Sequence, residues 1–377
     1  MKPRAIIAVL VVIILGLALF FWNRGPDPTD SATLRVGVIL PLTGESAYVG
    51  SSIRSGIEIA IDQFRARTGK PFELRVEFSD TSGQPARVVS SWQSLMASHS
   101  PQALIAVQEG VKGLIPLAQD DQRVLLATSV PDNDIAGVNP WTFRFFINAR
   151  TDASTIARYA VEKLEKKRFG VIYVNDSMGI SYRDSFATSV RELGGEIAAE
   201  QSFSPAETDF RSQVLRLKQA APEAIYLIGY GASMSNIPIQ LRENDVQATL
   251  LSVGTISQPE IMEAAGDAVE GCYYTTSEFF TFAPETEELQ QFVDAYQTKF
   301  GQVPVFFEVF GFDAMRLILH AAETAGSTQP AAIRDALTQI QNLPLAVGDV
   351  TVASDNDVQF PVVVKMIKDG QWAPAEP

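Results

Sequence analysis

The chain of 377 residues is 46% hydrophobic and carries a net charge of −14, with two histidines and one cysteine. This acidic balance argues against nucleic acid as a partner, because binding there depends on neutralising phosphates with Lys and Arg. Cys272, His99 and His320 are too few for a zinc or iron–sulfur cluster, so we expect no metal and no cofactor. The length and the apolar content suffice for two domains.

The N-terminus has the composition of a membrane segment. An apolar run from Ala5 to Trp22 follows Lys2 and Arg4. A helix with a rise of ~1.5 Å per residue over this run approaches the ~30 Å hydrocarbon core of a bilayer. The run ends without a small-residue cleavage site, which favours an uncleaved anchor over a cleaved signal peptide. We therefore predict a membrane anchor or signal segment over 1–23, a polar linker over 24–33, and a body in the periplasm, tethered to the inner membrane or released if the segment is cleaved.

From Leu34 onward, apolar runs alternate with helical patterns, which predicts a mainly parallel sheet with helices on both faces. The strands are predicted over 34–40, 72–80, 103–107, 124–129, 169–175, 195–203, 224–229, 248–254 and 272–280. A first helix presents Ile53, Ile57, Ile61 and Phe64 on one face. Further helices are predicted over 85–99, 111–121, 181–194, 209–222, 234–244, 287–300, 307–325 and 331–341, and the tail is predicted to form a hairpin.

Two similar halves follow from this alternation, since RVGVIL at 35–40 and RFGVIY at 168–173 open equivalent units. In parallel α/β sheets, ligands bind beyond the carboxyl ends of the strands, and two lobes leave a cleft between them. The loops at these ends are rich in hydroxyl and amide groups. They are Gln108–Gly113, Thr128–Asp134, Asn175–Ser181, Gly229–Ser235 and Ser252–Ser257.

The loop LPLTGESAYVG after the first strand matches neither phosphate-binding template. Gly44 and Gly50 are separated by five residues, and no Lys-Ser/Thr follows them. Two interpretations stay open: the glycines only turn the chain, or Tyr48 stacks on a ligand while Ser51 or Ser52 caps the helix. No GxSxG motif is present either, and the two histidines lie in helical patterns without a catalytic partner. The sequence therefore favours binding without catalysis, and we expect no enzyme.

Several segments of the chain resemble one family in order along 34–370. They are LPLTGESAYVG, NDSMG, TDFRSQVLRLKQAAPEAIYLIGYG (208–231), AGDAVEG (265–271) and GFDAMRLILHAAETAG (311–326). This pattern resembles the solute-binding proteins of branched-chain amino-acid ABC transporters, the leucine/isoleucine/valine-binding family. The resemblance implies the type I periplasmic-binding fold, with two α/β lobes joined by a three-crossing hinge. It implies one lobe over 34–148 and 276–347, a second over 149–275 and 348–370, and a ligand cleft between them.

The resemblance also implies where the ligand is held. The family's carboxylate-binding segments fall at Gln108–Val111 and Thr128–Val130. Its stacking tyrosine is Met178 here, whereas its next tyrosine corresponds to Tyr230. The glutamate that pairs with the ligand ammonium falls near Gly254 or Thr255, so that charge is missing, and Glu109 or Asp176 is a candidate substitute. The expected ligand-binding residues are Tyr48, Gln108, Glu109, Gly110, Thr128, Ser129, Asp176, Met178, Tyr230 and Thr255.

The function implied is that of an extracytoplasmic solute-binding protein for ABC-type uptake of an amino acid or a related small carboxylate or amide. Its partners would be the solute and a membrane permease. Two alternatives stay open: a membrane-tethered ligand sensor that acts on a receptor, and an activator of cell-wall synthesis that uses the same fold.

Overall fold

The computed structural model describes residues 33–44, 46–107, 110–131, 134–277 and 287–375. The predicted anchor over 1–23 lies outside these ranges, as does the linker apart from Thr33. Within them, every helix is too short or too polar to cross a bilayer.

The first sheet contains five parallel strands in the order β2-β1-β3-β4-β5. Its strands are β1 (Thr33–Leu40), β2 (Glu73–Asp80), β3 (Ala103–Val107), β4 (Val124–Thr128) and β5 (Thr142–Phe145). Its first helices are α1 (Ala47–Ala66), α2 (Pro85–Ser98) and α3 (Ile115–Asp120), the last preceded by a 3-10 turn over Val111–Leu114. All of these strands except β5 were predicted, because buried parallel strands form continuous apolar runs.

The second sheet has the order β15-β14-β10-β9-β8-β6-β7, with β6 to β10 parallel to one another. Its parallel strands are β6 (Arg168–Val174), β7 (Glu196–Phe203), β8 (Ala224–Ile228), β9 (Thr249–Ser252) and β10 (Tyr273–Ser277). The helices of this half are α4 (Ala149–Glu162), α5 (Ser177–Glu192), α6 (Arg211–Ala220), α7 (Ser233–Glu243) and α8 (Pro259–Ala265). The prediction of a mainly parallel α/β fold is confirmed for both halves.

The last part of the chain contributes elements to both halves of the protein. Its elements are α9 (Glu287–Phe300), α10 (Phe306–Ala325), α11 (Pro330–Leu337), β11 (Leu343–Leu345), β12 (Gly348–Val352), β13 (Val358–Gln359), β14 (Val362–Lys368) and β15 (Gln371–Pro374). β12 and β13 form the predicted hairpin within a small separate sheet. β14 pairs antiparallel with β10, and β15 pairs antiparallel with β14, so β15 forms one edge of the second sheet.

Two hydrophobic cores define two lobes. The first core draws on residues from Leu34 to Ile147 and from Leu289 to Val358. The second draws on residues from Ala149 to Tyr274 and on Ile367. The chain therefore passes between the cores three times: near residue 148, between 274 and 289, and between 358 and 367. Because β12 and β13 pack in the first core, we propose that the second lobe resumes near residue 360 rather than at 348.

Helices α1 and α10 pack backbone to backbone. Ile53, Ile57, Ile61 and Phe64 are buried on α1, as predicted. A Cβ atom at Gly56 would lie 1.8 Å from the carbonyl oxygen of Glu308, and one at Gly311 would lie 2.1 Å from that of Ile53. Only glycine permits this approach. The contact holds the N-terminal turn of α10 against α1.

The carboxylate of Asp152, on α4, is buried beside the second core. Asp152 is 1% exposed, and neither of its oxygens receives a hydrogen bond of normal geometry from the described residues. Burial raises the pKa of Asp152 to about 6, although Thr275 and Tyr182 lie close enough to oppose that shift. A buried carboxylate without a cation favours its neutral form.

We predict that Asp152→Asn stabilises the protein at neutral pH. Between pH ~4 and ~6 the folded state keeps the proton of Asp152 that the unfolded chain has released, so the free energy of unfolding falls as the pH rises through this window. The substitution removes this loss, with a gain of about 1–3 kcal/mol at pH 7 that disappears near pH 4. Urea unfolding at each pH measures it.

Asp184→Asn, an exposed carboxylate on α5, is the control and should change the free energy of unfolding little at any pH. An Asp152→Asn protein that is less stable than the original at pH 7 would contradict the prediction.

Candidate ligand-binding site

Three loops meet at the carboxyl edge of the second sheet. Asp176 follows β6, Tyr230 follows β8, and Thr255 lies in the 3-10 turn after β9. The Tyr230 hydroxyl donates to Asp176 Oδ2 at 2.8 Å, and Thr255 Oγ1 donates to the Gly229 carbonyl oxygen at 2.8 Å. The structure therefore brings these three predicted residues together, because β9, β8 and β6 are neighbours in the sheet.

The turn from β6 into α5 orients the Asp176 carboxylate. Asp176 caps the helix, since its Oδ1 accepts from the Gly179 amide at 2.8 Å. Gly179 sits so close to the strand that a Cβ atom there would lie 1.8 Å from the Val174 carbonyl oxygen. Met178 is half-buried against the second core. Asp176 thus presents a carboxylate held by two donors at the end of the sheet.

The corresponding edge of the first sheet carries two adjacent hydroxyls in different situations. Thr128 ends β4, is fully buried, and donates to the Phe145 carbonyl oxygen at 2.9 Å. Ser129 has a left-handed backbone with φ of 56° and is 7% exposed. Its Oγ has no hydrogen-bond partner in the part of the chain that the structure describes. Strained backbone and an unsatisfied buried group together are typical of functional sites.

The next loop of the first sheet follows β3. Gly110 has φ of 92°, and a Cβ atom there would lie 2.8 Å from Val88 Cγ2, so glycine alone fits. Gln108 and Glu109, the two predicted ligand residues before it, lie outside the described residues.

A cavity of about 320 Å³ joins residues of both lobes. Its lining is Tyr48, Gly231, Ala232, Ser235, Gln258, Glu260, Ile261 and Ala264. Tyr48, in the first turn of α1, is 49% exposed and faces residues more than 180 positions away. Gln258 and Glu260 were not among the ligand-binding residues predicted from the sequence. The only local signal for them is the Gln-Pro-Glu helix start that follows the Ser252–Ser257 loop.

The Glu260 carboxylate acts on two other groups near the cavity. Burial raises the pKa of the Tyr48 phenol, and the Glu260 carboxylate raises it further. Burial also raises the pKa of Glu308 on α10, and Glu260 adds to that effect. Glu260 is the one charged residue among those that line the cavity.

Aromatic rings of the first lobe reach the second near Gly254. A Cβ atom at Gly254 would lie 3.7 Å from Phe306 Cε2. The Phe306 ring packs edge-on against Phe146 and Phe307, with centroids at 5.5 and 5.2 Å, and Tyr48 packs on Phe307 at 6.1 Å. The place beside Gly254, where the resemblance implied a missing carboxylate, is therefore next to an apolar ring.

The profile of one family, described as periplasmic binding protein, matches residues 33–371. The chain belongs to this family, which confirms the expected solute-binding fold. A relative from Brucella melitensis, "Leu/Ile/Val-binding protein homolog 3", is 26% identical over 336 residues, covering 88% of this chain and 90% of the relative.

Solved structures share the fold at low identity. A branched-chain amino acid transporter substrate binding protein from Streptococcus pneumoniae, in complex with isoleucine, has a TM-score of 0.80 and 21% identity, covering 92% of this chain and 100% of the other. A solute binding protein of an ABC transporter from Rhodopseudomonas palustris, in complex with 3,4-dihydroxybenzoic acid, has a TM-score of 0.80 and 20% identity, covering 91% and 96%. The two ligands differ although the fold is the same.

We predict that Glu260→Gln lowers the pKa of the Tyr48 phenol. The substitution removes the carboxylate across the cavity, while burial, the larger cause, keeps the pKa above the ordinary tyrosine value. An NMR titration of tyrosine labelled at the ζ carbon measures this, with Tyr48→Phe to assign the signal. Glu263→Gln on the same helix is the control. If Glu260→Gln and Glu263→Gln give the same Tyr48 pKa, the two lobes do not bring Tyr48 and Glu260 together.

Proposed function

We propose that this protein is the substrate-binding component of an ABC-type uptake system for an amino acid or a related small carboxylic acid. The observation that carries the proposal is the Ser129 hydroxyl, which is buried after the carboxyl end of β4 and has no hydrogen-bond partner among the described residues. A hydroxyl in this state is a ready donor to an anionic oxygen, and hydrogen bonds to charged groups contribute about 1.5–3 kcal/mol.

The ligands in related structures support a carboxylate as the common feature. Isoleucine and 3,4-dihydroxybenzoic acid are both carboxylic acids, yet only isoleucine has an ammonium group. In our proposal Ser129 and the neighbouring backbone bind the carboxylate, and the residues of the second lobe select the rest of the molecule. Tyr230, Thr255 and Met178 form that second wall, with Tyr48 and Gly110 on the first.

An ammonium group, where the solute has one, would meet Asp176 rather than the missing glutamate. Asp176 Oδ2 accepts from the Tyr230 hydroxyl at 2.8 Å, and a carboxylate oxygen can accept a second hydrogen bond. Binding would close the lobes about the three connections, and the closed form would be recognised by a membrane permease. The proposal includes no chemical turnover of the solute.

The proposal also includes attachment to the inner membrane through the apolar run from Ala5 to Trp22. A tether raises the effective concentration of the binding domain near a membrane partner.

The first experiment is a thermal-shift screen of residues 30–377 against amino acids, amides, and aliphatic and aromatic carboxylic acids. The protein is unfolded and refolded beforehand to remove any bound solute. A solute at about 100 times its Kd should stabilise the fold by about 2.7 kcal/mol, which moves Tm by a few degrees. Stabilisation by carboxylic acids, but not by their amides, supports the proposal. Absence of any stabilising compound, or equal effects of acids and amides, contradicts it.

We predict that Ser129→Ala weakens solute binding by at least about tenfold, because a charge-assisted hydrogen bond is lost. Its Oγ has no hydrogen-bond partner among the described residues, so removal of the hydroxyl should not lower the free energy of unfolding. Thr128→Val is the matched control. The Thr128 hydroxyl donates a hydrogen bond to the Phe145 carbonyl oxygen. Its loss should therefore lower the free energy of unfolding by about 1 kcal/mol and leave the affinity of the folded protein for the solute nearly unchanged. Titration calorimetry and urea unfolding separate the two effects, and the reverse pattern would contradict the assignment of Ser129.

A further inference from the structure

One buried side chain connects the loop Ser129–Pro131, called the Ser129 loop below, to two of the three passages of the chain between the lobes. Arg144 lies on β5, the edge strand of the first sheet, and is 0% exposed. Its Nη1 donates to the carbonyl oxygen of Val130 at 3.2 Å, directly after Ser129. The same Nη1 donates to the carbonyl oxygens of Phe146 at 3.1 Å and Ile147 at 3.4 Å, which lie in the first passage.

The other end of the guanidinium reaches the segment that leads into the third passage. Arg144 Nη2 donates to Asp357 Oδ1 at 2.5 Å, and Asn148 Nδ2 donates to Asp357 Oδ2 at 3.3 Å. The backbones also pair, since the Arg144 amide donates to the Asn356 carbonyl oxygen at 3.1 Å. Asp357 is itself buried, at 6% exposure.

The Ser129 loop touches the first passage at a second point. The Ala149 amide, at the start of α4 in the second lobe, donates to the Pro131 carbonyl oxygen at 3.3 Å. Rotation of the lobes about the passage at residues 146–148 would therefore act on two successive residues of the loop, Val130 and Pro131. A guanidinium can serve these positions together because its donors are fixed in one plane.

We propose that Arg144 is a positioning residue for solute binding, which holds the Ser129–Pro131 loop in register with the first and third inter-lobe passages. It does not contact the solute; it sets the geometry of the loop that does, and couples this loop to the relative position of the lobes. This inference rests on the proposed function, because it assigns a role within the same site.

If Arg144 were only half of a structural ion pair, its replacement would change stability but not solute affinity. Three variants, one of them double, distinguish the two roles. Arg144→Met leaves the buried Asp357 carboxylate without its cation, which lowers stability whatever else Arg144 does. The double variant Arg144→Met/Asp357→Leu removes both charges and should recover most of that stability. It still leaves the Val130, Phe146 and Ile147 carbonyl oxygens without their donor. Arg144→Lys, which keeps the charge, is a conservative variant that should fold.

The experiment measures three properties of each variant: the free energy of unfolding in urea, the Kd for the best solute from the thermal-shift screen, and the distance distribution between two spin labels. The labels are placed at Ser94→Cys on α2 and Thr188→Cys on α5, one exposed position in each lobe, in protein without solute. Cys272 is buried and should not react. Arg67→Met, which removes a surface ion pair of the first lobe with Glu323, is the matched control.

We expect the double variant to regain stability but to keep a Kd at least tenfold above that of the original protein, with a broadened distance distribution. Arg144→Lys should raise Kd at least threefold, because lysine cannot serve all three carbonyl oxygens and Asp357 together. Arg67→Met should change Kd less than twofold.

A double variant with a Kd within twofold of the original would show that Arg144 is only half of an ion pair, and would overturn the proposal. Unchanged Kd in Arg144→Lys would overturn it as well. If no solute binds the original protein, the proposed function fails, but the spin-label distances still decide the role of Arg144 in holding the passages. In that case, a spin-label distance distribution as narrow in the double variant as in the original protein would overturn the proposed role of Arg144.

Discussion

The relative placement of the lobes depends on the hydrogen bonds and the ion pair of one buried guanidinium, that of Arg144. Removing a guanidinium from water costs several kcal/mol, so it persists in a core only where partners offset most of that cost. Here Asp357 balances the charge and three carbonyl oxygens accept from Nη1, whereas Nε has no hydrogen-bond partner among the described residues. Since these partners belong to the Ser129 loop and to two connections between the lobes, one side chain constrains both the cleft and the hinge.

The glycine contact between α1 and α10 supplies the second constraint. It holds the first turn of α10 near Tyr48, so that the Phe306 and Phe307 rings border the cleft. Phe306 then lies beside Gly254 of the second lobe, where a longer side chain would meet the ring. The carbonyl oxygen of Thr275 lies still closer, 3.0 Å from a Cβ atom at Gly254, so a side chain there would be crowded between this oxygen and the ring.

Most of the fold could be predicted because buried parallel strands form short apolar runs, and the helices between them repeat apolar residues with a helical period. The strand from Ala103 to Val107 and the helix from Glu287 to Phe300 agree with their predicted bounds. β5 and α4 were missed because Thr142–Phe145 is only four residues long and the buried face of α4 consists mainly of small alanines, with Asp152 among them. The membership of β12 and β13 in the first core also depends on contacts that no local pattern records.

The sequence by itself determined the alternation of strands and helices, the two-lobe organisation, and the strand-end loops that are the candidates for the site, because all of these follow from local patterns. Only the tertiary structure decided which side chains in those loops are available. Thr128 and Ser129 carry adjacent hydroxyls, but the Phe145 carbonyl oxygen, 17 positions away, accepts from the Thr128 hydroxyl, whereas the Ser129 hydroxyl has no partner among the described residues. Tyr48 and Glu260 likewise meet only because the two lobes close on one cavity. Partners so distant along the chain leave no periodic signal, since their contact arises from the packing of whole lobes.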